Sequence, residues 1–145
     1  MQLAPQLVFN GNCAEALPFY AKAFNTKINM QSRYGDAPSD HGYVTPPEIA
    51  DLILHAQLDM GDTVLMLCDN PPQTPYNAGS NFSVAVMFDT EDQLQAAFGQ
   101  LKDGGNVVME PQATFWSECY AMVTDKFGFT WQLTLKGSDE IAGHK

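Results

Sequence analysis

Of all the side chains in this sequence, one histidine has the position that best suits acid–base chemistry or ligand binding. His55 stands between Leu54 and Ala56 in a strand-like segment, whereas His41 lies in a long polar loop and His144 in the C-terminal tail. An imidazole in such a strand either forms hydrogen bonds beside the core or lines a cavity as an acid, a base or a donor. Because no carboxylate partner is evident in the sequence, His55 alone does not establish general acid–base catalysis.

A second candidate group comes later, where Trp116, Glu118 and Tyr120 alternate along a predicted strand. Side chains two residues apart in a strand share one face of the sheet. On an inner face, this aromatic wall with one carboxylate suits a small organic ligand that has an apolar body and a donor or cationic group. On an outer face, Glu118 is a solvated charge and the two aromatic residues belong to an interface.

The next predicted strand has one polar and one apolar side. Thr130, Gln132 and Thr134 share the polar side, while Trp131 and Leu133 share the other. An amide such as that of Gln132 can orient a ligand, because it both donates and accepts hydrogen bonds.

Other motifs indicate structure rather than catalysis. Asp125 and Gly128 hold the first and fourth positions of a predicted type I turn, so Asp125 is interpreted as a turn former. No GxGxxG or GxxxxGK[ST] segment occurs, which argues against a phosphate loop and against a methyltransferase with a nucleotide-like cofactor. We therefore expect no cofactor.

The three cysteines are predicted to be reduced and buried. Cys13, Cys68 and Cys119 are odd in number, far apart and not arranged as CxxC. This pattern fits neither a disulfide framework nor a zinc knuckle. Their expected role is core packing, because free cysteine is among the most buried residue types.

The composition indicates a soluble globular protein. A chain of 145 residues with 45% hydrophobic content can form one domain, or two small halves around a core. No apolar run reaches the roughly 18 residues that span a bilayer, and residues 1–5 lack the features of a signal peptide. We expect a cytoplasmic protein with no membrane partner.

The net charge excludes another class of partner. Seventeen acidic and seven basic residues give a formal charge of −10. A phosphate backbone is repelled by such a protein, so nucleic acid is not an expected partner.

An internal repeat sets the predicted architecture. Four pairs of similar residues are each separated by 79 positions: Asn10 and Asp89, Phe19 and Phe98, Ile28 and Val107, and Met30 and Met109. A repeat of half the chain predicts two copies of one supersecondary unit facing each other across a cavity. The predicted boundaries are a first module over 1–69, a linker over 70–81, a second module over 82–136 and a tail over 137–145.

Each module reads as a strand, a helix and three further strands. In the second module, Thr90 and Gln93 form a capping box, and the apolar stripe of the helix is Leu94, Ala97, Phe98 and Leu101. Lys102 and Gly104 signal the end of that helix. The predicted fold class is α+β, with paired βαβββ modules that form curved mixed sheets.

Two βαβββ modules in a chain of this length resemble the vicinal oxygen chelate superfamily, which includes glyoxalase I, extradiol dioxygenases and bleomycin-resistance proteins. Local segments are similar to its PhnB-like branch: LVFNGNCAEA at 7–16, HAQL at 55–58, FW at 115–116 and VTDKFG at 123–128, with Trp131. The resemblance covers residues 3–135. It implies a fold and a branch rather than an activity, because one fold supports many functions.

The resemblance also implies where a metal would bind. Superfamily metalloenzymes hold a divalent ion with His or Glu side chains on the first, fourth, fifth and eighth strands. In this sequence those places fall near Pro5 or Gln6, Met66, Ser83 and Gln132. None is a strong ligand for a divalent metal, so we expect no metal site of the usual kind.

Two function classes follow from these observations. The first is a small-molecule-binding protein of the bleomycin-resistance sort, with its cavity between modules. The second is an enzyme, either a metal-dependent lyase, isomerase or dioxygenase, or a metal-free one that uses His55 and Glu118. The expected ligand-binding residues are His55, Ser83, Trp116, Glu118, Tyr120 and Gln132. No catalytic residue is assigned.

The resemblance further implies self-association. Members of the superfamily commonly pair modules from two chains, and an isolated sheet would leave an apolar face exposed. We therefore expect a homodimer, which sedimentation on dilution would check.

Overall fold

The computed structural model describes residues 1–36, 45–71 and 73–137 of the chain. These residues form two compact units. The first comprises Met1–Ala21 and Asn25–Asn77, and the second comprises Lys22–Phe24 and the chain from Ala78 onward. His41, His144, most of the predicted polar loop and nearly all of the predicted tail lie outside the described residues.

The first unit contains a four-stranded mixed sheet. Its elements are β1 (Gln6–Phe9), α1 (Cys13–Ala23), β2 (Ile28–Arg33), β3 (Ile53–Asp59) and β4 (Val64–Asp69), with short 3₁₀ turns at Tyr34–Asp36 and Pro47–Ile49. The strand order is β1-β4-β3-β2. β1 and β4 run parallel, whereas the other two pairs are antiparallel.

The second unit has the same plan. Its elements are β5 (Ser83–Phe88), α2 (Glu91–Leu101), β6 (Asn106–Gln112), β7 (Tyr120–Thr124) and β8 (Thr130–Leu135). The strand order is β5-β8-β7-β6, and again only the first and last strands in sequence are parallel. The predicted α+β fold with two βαβββ modules is confirmed. None of the helices among the described residues is long and apolar enough to cross a bilayer.

Each sheet has one face buried beneath a helix, and we call the opposite side its open face. In the first unit, the ring of Tyr20 on α1 lies 6.2 Å from that of Phe9 on β1. Alternation along the strands puts Leu7, Leu65 and Leu67 on the same buried side. Burying these large side chains is the main source of stability of such a layer.

The second unit confirms the predicted helix stripe. Leu94, Ala97, Phe98 and Leu101 are buried, and α2 packs against β5, β7 and β8. The predicted two-sided pattern of β8 is also observed. Trp131 and Leu133 are fully buried, whereas Gln132 between them is half-buried on the open face.

Both ends of α2 follow the sequence signals. Thr90 and Gln93 form a reciprocal capping box at the start. At the other end Lys102 is the C-cap, and Gly104 adopts a positive φ of 76°. A Cβ on the following Gly105 would overlap the carbonyl oxygen of Thr124, so only glycine allows the chain to pass this close to β7.

A buried carboxylate joins distant segments of the first unit. Asp69 is only 1% exposed. Its Oδ1 accepts hydrogen bonds from the backbone N–H groups of Gly11 and Cys13, each at 3.0 Å, and its Oδ2 accepts one from Ile53 at 2.8 Å. The carboxylate therefore stabilises the N-terminus of α1 and the start of β3 together.

A second buried carboxylate organises the β7–β8 turn. The Oδ1 atom of Asp125 accepts from the backbone N–H groups of Phe127 and Phe129, at 2.9 and 3.1 Å. Its Oδ2 accepts from the indole Nε1 of Trp131 at 2.8 Å. This geometry is that of the predicted turn former, with an additional bond that holds the largest core side chain.

One predicted strand is shorter than expected. β7 begins at Tyr120, so Trp116 and Glu118 precede it rather than belong to it. The Ser117 hydroxyl donates to the carbonyl oxygen of Cys119 at 2.8 Å and accepts from its N–H at 3.2 Å. These local bonds give the backbone an alternative to strand pairing, although the residue types alternate as in a strand.

The buried thiols agree with the sequence interpretation. Cys13, Cys68 and Cys119 are all free and buried. Burial raises the pKa of each thiol, and the charge of Asp69 raises those of Cys13 and Cys68 further. Such thiols stay protonated near neutral pH and are poor nucleophiles.

Asp69→Asn is expected to destabilise the protein by about 3 kcal/mol. The amide oxygen can still accept from two N–H groups, but the new NH₂ would face the N–H of Ile53, donor against donor. Chemical denaturation monitored by circular dichroism measures the free energy of unfolding.

The control is Asp89→Asn, which removes the same charge at an exposed site. Asp89 is 72% exposed and pairs with Lys136 at 3.6 Å. Exposed ion pairs contribute little, so this variant should match the parent protein. Equal stability of the two variants would show that the bonds to Asp69 have no structural importance.

Stability is expected to fall as the pH rises above 9.0, the ordinary pKa of the Cys13 thiol. Burial, and then the charge of Asp69, raises the pKa of this thiol in the folded state. The folded protein therefore keeps a proton that the unfolded chain releases, and rising pH favours unfolding. Thermal melts across this range should show a smaller loss of Tm for Cys13→Ala. An unchanged pH dependence in that variant would contradict the assignment.

Candidate functional site

Three of the sequence-predicted residues form one hydrogen-bonded chain on the open face of the second sheet. The phenol of Tyr120 donates to Gln132 Oε1 at 2.6 Å, and Gln132 Nε2 donates to Ser83 Oγ at 2.8 Å. The sheet register explains the meeting. β8 lies between β5 and β7, with Gln132 opposite Ala85 on one side and Met122 on the other. Side chains diagonal to Gln132 are then within reach of its amide.

The environment of the hydrogen-bonded chain fixes the protonation state of the Tyr120 phenol. Tyr120 is only 7% exposed, and burial raises the pKa of its phenol above the ordinary 10.0. The phenol therefore stays neutral and acts as a donor at physiological pH. Ser83 and Gln132 are half-buried, so a molecule on this face can reach them.

On β5, β7 and β8, the open face around these three residues carries no formal charge. On β5 it presents Ser83, Ala85 and Met87, on β7 Tyr120, Met122 and Thr124, and on β8 Thr130, Gln132 and Thr134. Hydroxyl groups pair across it, with 2.9 Å between Oγ1 of Thr124 and Oγ1 of Thr130. On these three strands the surface is thus uncharged, with hydroxyl and amide groups beside the apolar side chains of Ala85, Met87 and Met122.

An aromatic edge borders the chain. The ring of Trp116 makes an edge-to-face contact with that of Tyr120, with centroids 5.3 Å apart, and Phe115 contacts Trp116 at 4.7 Å. Phe115 is 91% exposed, so the rings lead from solvent to the buried phenol. Ser117 ties this loop to the sheet through its hydroxyl, 2.8 Å from that of Thr134.

Glu118 lies in the segment that precedes β7. Its side chain is exposed, and it lies before β7 in irregular backbone. The predicted alternation of Trp116, Glu118 and Tyr120 on one strand face is therefore wrong, although Trp116 still reaches Tyr120.

His55 belongs to the first unit. It lies half-buried on β3, and its Nε2 is 3.0 Å from Nε2 of Gln57, two residues further on. Register pairs His55 with Ser32 on β2. The imidazole thus has a partner in an amide rather than in a carboxylate, which fits the ordinary structural interpretation.

The other two positions that correspond to superfamily metal ligands lie side by side in the first sheet. Gln6 on β1 is the parallel-strand partner of Met66 on β4. Gln6 Nε2 donates to the sulfur of Cys68 at 3.2 Å. The amide of Gln6 is therefore engaged by a neighbouring thiol on the same open face.

These residues do not fit the divalent metal that the superfamily resemblance implies. Amide, thioether and hydroxyl groups are weak ligands for Zn²⁺, Ni²⁺ or Fe²⁺. Moreover, the amide nitrogen of Gln132 donates to Ser83 Oγ, and its carbonyl oxygen accepts from Tyr120. Both ends of this amide are therefore already hydrogen-bonded. Over residues 1–36, 45–71 and 73–137, no group of three or more His, Cys, Asp or Glu side chains could hold a metal ion.

Sequence reasoning missed one residue that supports this site and two contacts within the first unit. Ser117 has no periodic signal, because its role depends on a turn-like loop that reaches Thr134. Gln57 could have been found, since it lies two residues from His55 and therefore on the same strand face. The relation between Asp69 and Gly11, 58 residues apart, leaves no local signal.

Comparisons with known proteins agree with this architecture. A crystal structure of protein PA1353 from Pseudomonas aeruginosa is 33% identical, covering 93% of this chain and 97% of its own, with a TM-score of 0.82. A PhnB protein from Bacillus cereus, provisionally named a 3-demethylubiquinone-9 3-methyltransferase, is 25% identical over 93% of this chain and 99% of its own, with a TM-score of 0.73. Protein YjdN from Escherichia coli strain K12 is 27% identical over 93% of this chain and 95% of its own.

The family itself is shown by a match over most of the chain. The sequence profile of the Glyoxalase/Bleomycin resistance protein/Dioxygenase superfamily matches residues 2–133. This range includes both sheets except the last two residues of β8, and it includes every residue of the hydrogen-bonded chain. The protein belongs to the Glyoxalase/Bleomycin resistance protein/Dioxygenase superfamily.

Proposed function

We propose that this protein binds a small organic molecule on the open face of its second sheet, without the metal site usual in the superfamily. The observation that carries the proposal is the chain from Tyr120 through Gln132 to Ser83. It occupies two of the positions that correspond to metal ligands in superfamily metalloenzymes, and it connects them to each other. Direct ligand binding therefore replaces metal coordination at these places.

The form of the surface supports a ligand rather than a purely structural role. A structural hydrogen-bond network is normally enclosed, because exposed polar groups form bonds to water at little cost. Here the hydrogen-bonded chain begins at a buried phenol beside Trp116 and ends at the half-exposed Ser83. An aromatic edge next to a few oriented polar groups is what a small organic molecule needs for both affinity and specificity.

The proposal stops at binding and assigns no reaction. A catalytic site needs a nucleophile with a base, or an acid and a base, within reach of one another. The nine residues that β5, β7 and β8 present on this open face include neither histidine nor carboxylate. The competing function, a metal-dependent lyase, isomerase or dioxygenase, would require strong ligands at Ser83 and Gln132.

Protein purified without chelator is expected to contain far less than stoichiometric divalent metal, because amide, thioether and hydroxyl groups bind such ions weakly. Elemental analysis measures the content, and thermal melts with added Zn²⁺ or Ni²⁺ should show no specific stabilisation. Stoichiometric zinc, nickel or iron that is lost in Ser83→Ala would overturn the proposal and favour the metal-dependent enzyme.

A ligand at the proposed site should shift the NMR signal of one tryptophan indole and leave that of the other unchanged. In ¹⁵N-labelled protein, neutral aromatic fragments are expected to shift the indole signal of Trp116 and the side-chain amide signals of Gln132. The indole of Trp131 should not move, because it is fully buried and bonded to Asp125.

Trp116→Phe assigns the two indole signals and is the matched variant for this measurement. It keeps an aromatic ring beside Tyr120, so the fold should be retained. If no fragment moved the Trp116 and Gln132 signals, the proposed binding site would be wrong.

A further inference from the structure

We infer that the proposed site is a hydrogen-bond donor site, which takes a neutral molecule through an acceptor oxygen such as a ketone or amide carbonyl. The Ser83 hydroxyl supplies the donor. The inference rests on the proposed function, since it names the ligand class for the same site. It follows from the direction of the hydrogen bonds that join Tyr120, Gln132 and Ser83.

The direction is set at the buried end of the chain. A phenol has a single O–H, and that of Tyr120 lies 2.6 Å from the Gln132 carbonyl oxygen, a typical O–H···O separation. Burial keeps the phenol protonated, because it raises the pKa. The phenol therefore holds the carbonyl end of the amide toward itself.

The amide transmits this direction to Ser83. Because the Gln132 side-chain amide is planar, fixing its oxygen also fixes its nitrogen, which lies 2.8 Å from Ser83 Oγ as N–H···O bonds do. Ser83 is the acceptor in this bond, since the amide nitrogen can only donate. Its own O–H remains, and across residues 1–36, 45–71 and 73–137 Ser83 Oγ forms no other hydrogen bond. The half-exposed hydroxyl can therefore donate to a bound molecule.

The surroundings select an uncharged partner. No basic side chain lies on the open face of β5, β7 and β8, so a carboxylate or phosphate would lack a counterion. No acidic side chain lies there either, which leaves a buried cation without a partner. The side chains that flank Gln132 across the sheet, Ala85 and Met122, are apolar and suit the body of a neutral molecule.

The test uses three probes that share a benzene ring and differ in the head group: acetophenone, benzoate and benzylammonium. Each is titrated into ¹⁵N-labelled protein while the Trp116 indole and Gln132 amide signals are followed. Acetophenone is expected to bind at least about five-fold more tightly than either ion. The net charge of −10 would by itself favour benzylammonium, so a preference for the ketone cannot come from overall charge.

Two substitutions test the direction of the hydrogen bonds that join Tyr120, Gln132 and Ser83. Ser83→Ala removes the donor and should weaken acetophenone binding by about five-fold. Gln132→Glu keeps the shape but presents two acceptor oxygens, so that Ser83 must donate to Glu and no longer to the ligand. It should remove the preference for acetophenone over benzylammonium. Ser80→Ala, the same change at an exposed serine, is the control and should bind acetophenone as the parent does.

The outcomes separate this inference from the proposed function. Tighter binding of benzoate or benzylammonium at the Trp116 and Gln132 signals, or acetophenone binding unaffected by Ser83→Ala, would overturn the donor assignment and leave the binding site intact. If none of the three probes nor any neutral fragment moved those signals, both would fail. The Trp131 indole signal, retained at its parent position, shows that each variant is folded.

Discussion

Each unit of this protein depends on one buried carboxylate that accepts three N–H groups at a place where strands end. Asp69 joins the start of α1 to the start of β3, and Asp125 closes the turn before β8 while holding the indole of Trp131. A carboxylate removed from water is tolerated only when its oxygens are satisfied in this way. Because these bonds fix where strands begin, they also help to fix register, and register decides which residues reach the open face.

The candidate site is a direct result of that register. Ser83 and Gln132 are 49 residues apart and meet because β5 and β8 are parallel neighbours. Tyr120 joins them from the antiparallel neighbour on the other side. Because one fold supports several functions, function depends on the side chains at a few such positions. Here amide and hydroxyl groups occupy the positions that correspond to metal ligands in superfamily metalloenzymes, and they are hydrogen-bonded to one another.

Much of the fold could be predicted because its signals are local. The repeat predicted two equal units, and helical spacing identified the buried stripe of α2 with all four residues correct. Period-two alternation assigned Gln132 to the face opposite Trp131. The same alternation failed at Trp116 and Glu118, because local hydrogen bonds of Ser117 compete with strand pairing and residue type alone does not show which prevails.

The sequence by itself determined the fold class and the family resemblance. It also showed that the side chains at the superfamily's metal positions are weak ligands, since periodicity and residue type are local properties. Only the tertiary structure decided that Tyr120, Gln132 and Ser83 form one directed chain, that Glu118 is exposed outside it, and that Asp69 holds the first unit together. The hydrogen bonds concerned join residues from 12 to 58 positions apart in the sequence. Their geometry arises from sheet register and burial, which no single segment of the sequence contains.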